Sequence, residues 1–217
     1  MIPIGGIYPI LDQTWLEAIR PDEEALARLL GVCAPFQVQL RCKGSPLRCR
    51  AFTETWVSLL RRHASDTRIL INDHPELVRL CRADGIHVGQ NDRSVAECRR
   101  ELGQEALIGL STHTLDEVRW ANGEAADYIG FGPVFGTTTK ADALQPRGVA
   151  LLARACVLST WPVIAIGGIG VEELPAIVGS KAAGAAMISG LFPAGSPPRL
   201  TEAMACWSAG RGRPVRD

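Results

Sequence analysis

Apolar, β-branched runs of five to seven residues recur along the chain, at Gly6–Asp12, Phe36–Arg41, Arg68–Asp73, Gly85–Gly89, Leu107–Thr112, Tyr128–Gly132, Pro162–Gly168 and Ala185–Gly190. Most are continuous rather than alternating, the pattern of strands covered on both faces. Between them lie stretches of helical periodicity at Asp22–Leu30, Ala51–Arg62, Pro75–Arg82, Val95–Leu102, Leu115–Ala121, Gly148–Leu158 and Glu172–Val178. Eight strand–helix units with short linkers predict an α/β fold, a (β/α)8 TIM barrel in a single domain spanning 1–207. The basic, glycine-rich end 208–217 reads as a solvated tail. A doubly wound sheet is the rival. Its G-x-G-x-x-G turn is missing after the first strand, which ends Leu11-Asp-Gln-Thr14, and Gly130-Phe-Gly132-Pro-Val-Phe-Gly136 misses that spacing by one residue.

Composition narrows the function classes. Lys plus Arg equals Asp plus Glu at 23 each, so overall charge favours neither nucleic acid nor a membrane surface, and anion binding must come from local placement. The 7 cysteines include no C-x-x-C pair, which argues against a disulfide framework or structural zinc and fits a reducing, cytoplasmic compartment. The first residues lack a charged and then apolar leader, and no apolar run reaches the ~20 residues of a membrane helix.

Barrel enzymes place their chemistry at the C-terminal ends of the strands. Seven of the eight predicted strand ends here carry donors, cations, carboxylates or glycines. Arg41 and Lys43 follow the second strand two residues apart, and Lys140 arrives from the loop after the sixth. Each alone reads first as a solvated charge; together, beside Gln39 and Ser111, they read as an anion site. Asp73 and Asp92 follow adjacent strands. Asp73 could simply cap the helix at Pro75, and Asp92 could be a turn residue. Two carboxylates facing a basic cluster are also the usual protein share of a Mg²⁺ site completed by substrate phosphates. Gly167-Gly168 and Ile188-Ser189, with Thr137, Thr138 and Thr139 nearby, form a candidate phosphate pocket after the seventh and eighth strands. His87 reads as a core residue or a support to the site. For His113, substrate positioning and a structural role are equally open.

These residues fall in ordered motifs: Gln39-x-Arg41-x-Lys43, Ile71-Asn72-Asp73, Ala83-Asp-Gly-Ile-His87-x-Gly89-Gln-x-Asp92, Ile108-Gly-x-Ser111-Thr-His113, and Tyr128-Ile-Gly-Phe-Gly-Pro133-Val-Phe-x-Thr137-x-Thr139-Lys140. Pro162-Val-x-Ala-Ile-Gly167-Gly168-Ile and Ile188-Ser189 complete them. The set resembles the thiamine phosphate synthase family from Gly6 to about Phe192. The resemblance implies a transferase that joins a hydroxymethylpyrimidine diphosphate to a thiazole phosphate and releases pyrophosphate, with Mg²⁺ as cofactor. It implies that Gln39, Arg41, Lys43, Asn72, Ser111 and Lys140 bind the pyrimidine diphosphate. Of these, Arg41, Lys43, Ser111 and Lys140 act in catalysis. It makes Asp73 and Asp92 the metal ligands, and Thr137, Thr138, Thr139, Gly168, Ile188 and Ser189 the thiazole phosphate site. The implied partners are these small molecules, with no nucleic acid or membrane; self-association into a homo-oligomer stays open.

The chain departs from the family pattern at Gly136, where proline is frequent, at Gly31–Phe36 and at Gln145-Pro-Arg147-Gly148. Competing readings are a thiazole tautomerase-like relative, whose catalytic His is replaced here by Pro133, a non-catalytic phosphate-ligand sensor, and another phosphosugar barrel enzyme.

Overall fold

The computed structural model describes residues 4–137 and 145–211. Its first strand, β1 (Gly6–Asp12), shows why the apolar runs are continuous. Ile7 and Leu11 point outward into a large core shared with the helices, while Tyr8 and Ile10 point inward to a second core inside the barrel. Both faces are dry, so neither can carry a polar alternation.

The chain continues through α1 (Gln13–Ile19), α2 (Glu23–Cys33), β2 (Gln37–Arg41), α3 (Pro46–His63), β3 (Arg68–Asn72), α4 (Pro75–Cys81) and β4 (Gly85–Val88). It then forms α5 (Val95–Leu102), β5 (Leu107–Thr112), α6 (Leu115–Ala121), β6 (Tyr128–Phe131), α7 (Gly148–Leu158), β7 (Val163–Ile166), α8 (Leu174–Gly179), β8 (Gly184–Met187) and α9 (Leu200–Gly210). The eight strands pair in chain order, all parallel, and β8 closes on β1 through Gly6↔Gly184 to Pro9↔Met187. This is the (β/α)8 barrel.

The helices start where capping residues stand. Asp12 closes β1 and caps α1, accepting from Trp15 N at 3.0 Å. Ser94 and Glu97 form a reciprocal capping box on α5, and Thr114 caps α6. Proline occupies the first turn of α3 and α4, where its missing N–H costs nothing.

The differences from the sequence expectation have local causes. β3 stops at Asn72 because Asp73 adopts a left-handed φ of 65°. β7 stops at Ile166 because Gly167 (φ 99°) and Gly168 (φ 62°) turn the chain sharply. The expected last strand is shifted: Gly184 joins it, whereas Ile188–Gly190 leave it for a turn closed by Leu191 N to Ile188 O at 3.0 Å. α1, of 7 residues, was not read from the periodicity. α9 runs to Gly210, three residues into the segment read as tail, and buries Leu200, Ala203 and Trp207.

Candidate functional site

The strand ends gather the polar residues at one mouth of the barrel. β2 supplies three inward side chains, Gln37, Gln39 and Arg41, while Val38 and Leu40 face the helices. Gln39 lies within the barrel at 3% exposure. Arg41, one step higher, pairs with Asp12, its register partner on β1. Both members of this pair are largely shielded, with side chains 14% and 4% exposed. Asp12 is a site residue that sequence reading missed; its signal was a carboxylate ending a strand directly beside the arginine strand.

Past β2, Lys43 turns to Asp73 after β3 and pairs with its carboxylate. Asn72 is buried at the end of β3. Asp92, in the loop after β4, accepts from Gly89 N at 2.8 Å. Lys43, Asp73, His74, Asn91 and Asp92 line an open hollow of about 650 Å³. The structure therefore brings Arg41, Lys43, Asn72, Asp73 and Asp92 to one rim.

Burial pushes the Asp73 carboxyl above its usual range, and the neighbouring Asp92 pushes it further, while Lys43 works against both. A carboxylate pair in that state favours a cation. The donor set is hard oxygen, suited to Mg²⁺ rather than to a soft metal. Among the described residues no group of three or more His, Cys, Asp or Glu could hold a metal by itself. The fit is therefore to a metal that takes its remaining ligands from water and substrate.

Ser111, at the end of β5, contacts His87 Nε2 at 2.8 Å through its hydroxyl, and its carbonyl accepts from Gln90 Nε2 at 2.6 Å. His87 thus supports a site residue from below. The His113 ring bonds the Gly132 carbonyl at 2.7 Å, and its backbone N–H donates to Glu117. That is the structural of its two readings: it holds the start of the loop after β6.

The glycine pocket lies on the opposite side of the mouth. A Cβ at Gly168 would overlap Gly136 O, and one at Gly167 would overlap Pro133. The two loops approach each other as only glycine allows. Gly168, Ile188, Ser189 and Thr137 fall on the loops after β7, β8 and β6. Thr138, Thr139 and Lys140 lie outside the described residues.

One expectation fails. Cys42 and Cys49 are bridged, with Cα atoms 5.3 Å apart and seven residues of separation. The tight turn after β2 returns the chain into the first turns of α3 and brings the two sulfurs together, a spacing no C-x-x-C search would find. The other five cysteines are free, as expected.

A parallel eight-stranded barrel with cations, facing carboxylates and a glycine pocket on its C-terminal rim has its polar groups where barrel enzymes place their active sites. Comparison with known proteins narrows this. Residues 7–191 match the family model described as thiamine monophosphate synthase. The thiamine-phosphate synthase of Anaeromyxobacter dehalogenans is 37% identical over 209 residues, covering 96% of this chain and 90% of that protein. The solved thiamine phosphate pyrophosphorylase from Pyrococcus furiosus superposes with a TM-score of 0.78 at 25% identity, covering 94% of this chain and 96% of that one. The namesake from Bacteroides thetaiotaomicron, at 17% identity and a TM-score of 0.60, shares the fold. The chain belongs to the thiamine monophosphate synthase family.

Proposed function

We propose that this chain is a Mg²⁺-dependent transferase. It couples an aminopyrimidine methyl diphosphate to a thiazole phosphate, giving thiamine phosphate and pyrophosphate. The observation that carries the reading is the facing pair Asp73 and Asp92 beside Arg41 and Lys43 at one rim.

Charge balance supports the metal. Among the described rim residues, three cations, Arg41, Lys43 and Arg93, stand against four carboxylates, Asp12, Asp73, Asp92 and Glu97. Such a rim repels a polyanion. Lys140 and a divalent cation held by Asp73 and Asp92 reverse its sign. When bound there, Mg²⁺ supplies positive charge to the leaving diphosphate.

The chain's own residues do the rest. Arg41 offers a planar fork to the phosphate oxygens, with Asp12 fixing its orientation. Lys43, half-exposed on a flexible stem, moves between Asp73 and the anion. Asn72, Gln39 and Ser111 orient the pyrimidine so that its methylene carbon faces the acceptor. Thr137, Thr138, Thr139, Gly168, Ile188 and Ser189 hold the thiazole phosphate on the other side of the mouth. The diphosphate departs as the ring amino group feeds electrons to the methylene carbon, and the thiazole nitrogen captures the resulting cation. Catalysis is alignment and leaving-group stabilisation, with no side-chain nucleophile.

The tautomerase-like reading is disfavoured by Pro133, which stands where that subgroup has its His, and by the retained carboxylate pair. We place the reaction in the cytoplasm; the five free cysteines fit a reducing compartment and the Cys42–Cys49 bridge does not. The deciding experiment incubates purified protein with both heterocycles, with and without Mg²⁺, and follows thiamine phosphate and pyrophosphate together. Both should appear only with the metal. Binding of both heterocycles without coupling would overturn the proposal in favour of a sensor. In the same assay, Asp92→Ala and Lys140→Ala should each lower turnover on the order of a hundredfold.

A further inference from the structure

Five side chains from five strands form one hydrogen-bonded chain across the barrel interior. Gln39 Nε2 on β2 donates to the Tyr8 hydroxyl on β1 at 3.0 Å. The Tyr8 and Tyr128 hydroxyls are 3.0 Å apart, bridging β1 to β6. The Tyr128 hydroxyl meets His87 Nδ1 on β4 at 2.9 Å, and His87 Nε2 meets Ser111 Oγ on β5 at 2.8 Å. Both tyrosines are sealed from solvent.

The strands are built around this chain. In register, His87 pairs with Gly109, and Gly109 pairs with Tyr128. The glycine leaves a gap in which the two rings meet over β5. A Cβ there would overlap both the Tyr128 ring and His87 Nδ1. Gly130, partner of Ser111, leaves room in the same way, since its Cβ would stand 3.2 Å from His87 Cε1.

With one hydrogen on the His87 ring, proton counting restricts the chain to two directions. Burial raises both phenols above their ordinary range, so each keeps its single hydrogen. With Gln39 Nε2 donating to Tyr8, the Tyr8 hydrogen goes to Tyr128 and the Tyr128 hydrogen to His87 Nδ1. If the His87 ring holds one hydrogen, that hydrogen then sits on Nε2 and goes to Ser111 Oγ. Gln39 is left to offer its acceptor Oε1 to a ligand, and Ser111 is left to offer its O–H. Rotating the Gln39 amide reverses every bond, making Gln39 a donor and Ser111 an acceptor. The two ends therefore cannot choose independently.

We propose that Tyr8, Tyr128 and His87 are positioning residues that lock the hydrogen-bonding polarity of Gln39 to that of Ser111. With the Gln39 amide turned as it is, Nε2 towards Tyr8, the barrel floor reads a heterocycle edge presenting a donor at Gln39 and an acceptor at Ser111. An amino group beside a ring nitrogen presents that pattern; the corresponding oxo form, with a carbonyl beside N–H, presents the reverse. The inference rests on the reading of Gln39 and Ser111 as pyrimidine ligands, and it adds three buried residues that never touch the reacting atoms.

The test joins two measurements at one pH. Nitrogen-15 NMR of the free protein should show His87 as the Nε2–H tautomer. Calorimetry should show that the aminopyrimidine alcohol binds in preference to its oxo counterpart. Tyr128→Phe removes the central hydroxyl. His87 should then populate both tautomers, and the amino-over-oxo preference should fall on the order of tenfold, the scale of one hydrogen bond. Binding of thiazole phosphate should not change. Tyr8→Phe, which cuts the chain one link earlier, should lower the preference likewise and serves if Tyr128→Phe does not fold. A Nδ1–H tautomer in the free wild-type protein overturns the proposal. So does an undiminished preference in a folded variant. If wild-type protein binds neither pyrimidine, the functional reading fails, while the tautomer still reports on the chain.

Discussion

Removing the charge of Asp12 tests whether the buried rim pair organises Arg41 or merely accompanies it. In Asp12→Asn the side-chain oxygen that accepts from Trp15 N is retained, so α1 keeps its cap and only the ion pair is lost. Arg41 is then a shielded cation, 14% exposed, without its carboxylate. Stranding one member of a buried pair costs about 3–5 kcal/mol, and partial solvent access puts this case near 3 kcal/mol. At about 2–4 °C per kcal/mol for chains of this size, the thermal midpoint should drop by roughly 6–12 °C. Asp12→Ala also loses the cap, about 1 kcal/mol more, and should unfold a further ~2–4 °C lower. Adding Arg41→Met to Asp12→Asn leaves no stranded charge and should recover most of the loss, at the expense of turnover. Pyrophosphate with Mg²⁺ should raise the midpoint of Asp12→Asn more than that of wild type, because the freed guanidinium is fully available to the anion. The readout is thermal unfolding by circular dichroism, with and without ligand. An unchanged midpoint in Asp12→Asn would refute the argument, since a pair that can be broken at no cost cannot fix Arg41.

Burial, and then the neighbouring Asp92, hold the Asp73 carboxyl above its ordinary value of 3.8 in the folded state, with Lys43 opposing. Its contribution to stability is therefore present below that value and is lost as pH rises through the folded pKa. Mg²⁺ should offset the loss, so metal-induced stabilisation should grow with pH across this range and be much reduced in Asp73→Asn; a metal effect independent of pH in wild type would contradict this. Gly109→Ala places a methyl group in the space of the Tyr128 and His87 rings and should cost about 1–3 kcal/mol by denaturant melt, whereas Gly179→Ala, with nothing within 4 Å of the new methyl, should be neutral or slightly stabilising. Alkylation of unreduced, unfolded protein should leave Cys42 and Cys49 unmodified and label the other five, as read by mass spectrometry. Labelling of all seven would dismiss the bridge.

The fold was legible because each strand carries its own record of two dry faces. Ile7, Leu11, Val38, Leu40, Ile69 and Ile71 serve the outer core, while Tyr8, Ile10 and Leu70 serve the inner one. The rim was legible for the same local reason: a strand's last inward residue and the loop beyond it must lie at the mouth, so Arg41, Lys43, Asp73 and Asp92 could be placed from position alone. Partnerships across strands were not. Asp12 lies 29 residues before Arg41, and only the register Asp12↔Arg41 makes them neighbours. The Cys42–Cys49 bridge was hidden differently, because it depends on where α3 begins, and Ser45-Pro46 was not read as a helix start.

The inner core shows most clearly what one-dimensional reading leaves out. A glycine inside a strand is by itself a mild cost wherever a side chain could have packed. In register Gly109 and Gly130 are the empty places beside the Tyr128 and His87 rings, and a large residue on one strand is fitted by a small one on the next. Tyr8, Tyr128 and His87 each bring a polar atom into this interior. Together they satisfy one another, which is the condition under which a polar group inside a barrel costs little. Gln37, one layer below, gives the contrast: it is fully buried, and neither of its side-chain polar atoms has a partner among the described residues. Two glutamines on one strand, both inward and two residues apart, thus differ in whether a tyrosine from β1 reaches them. That difference is set by the closure of the barrel, and it separates a residue that can present a defined face to a ligand from one that cannot.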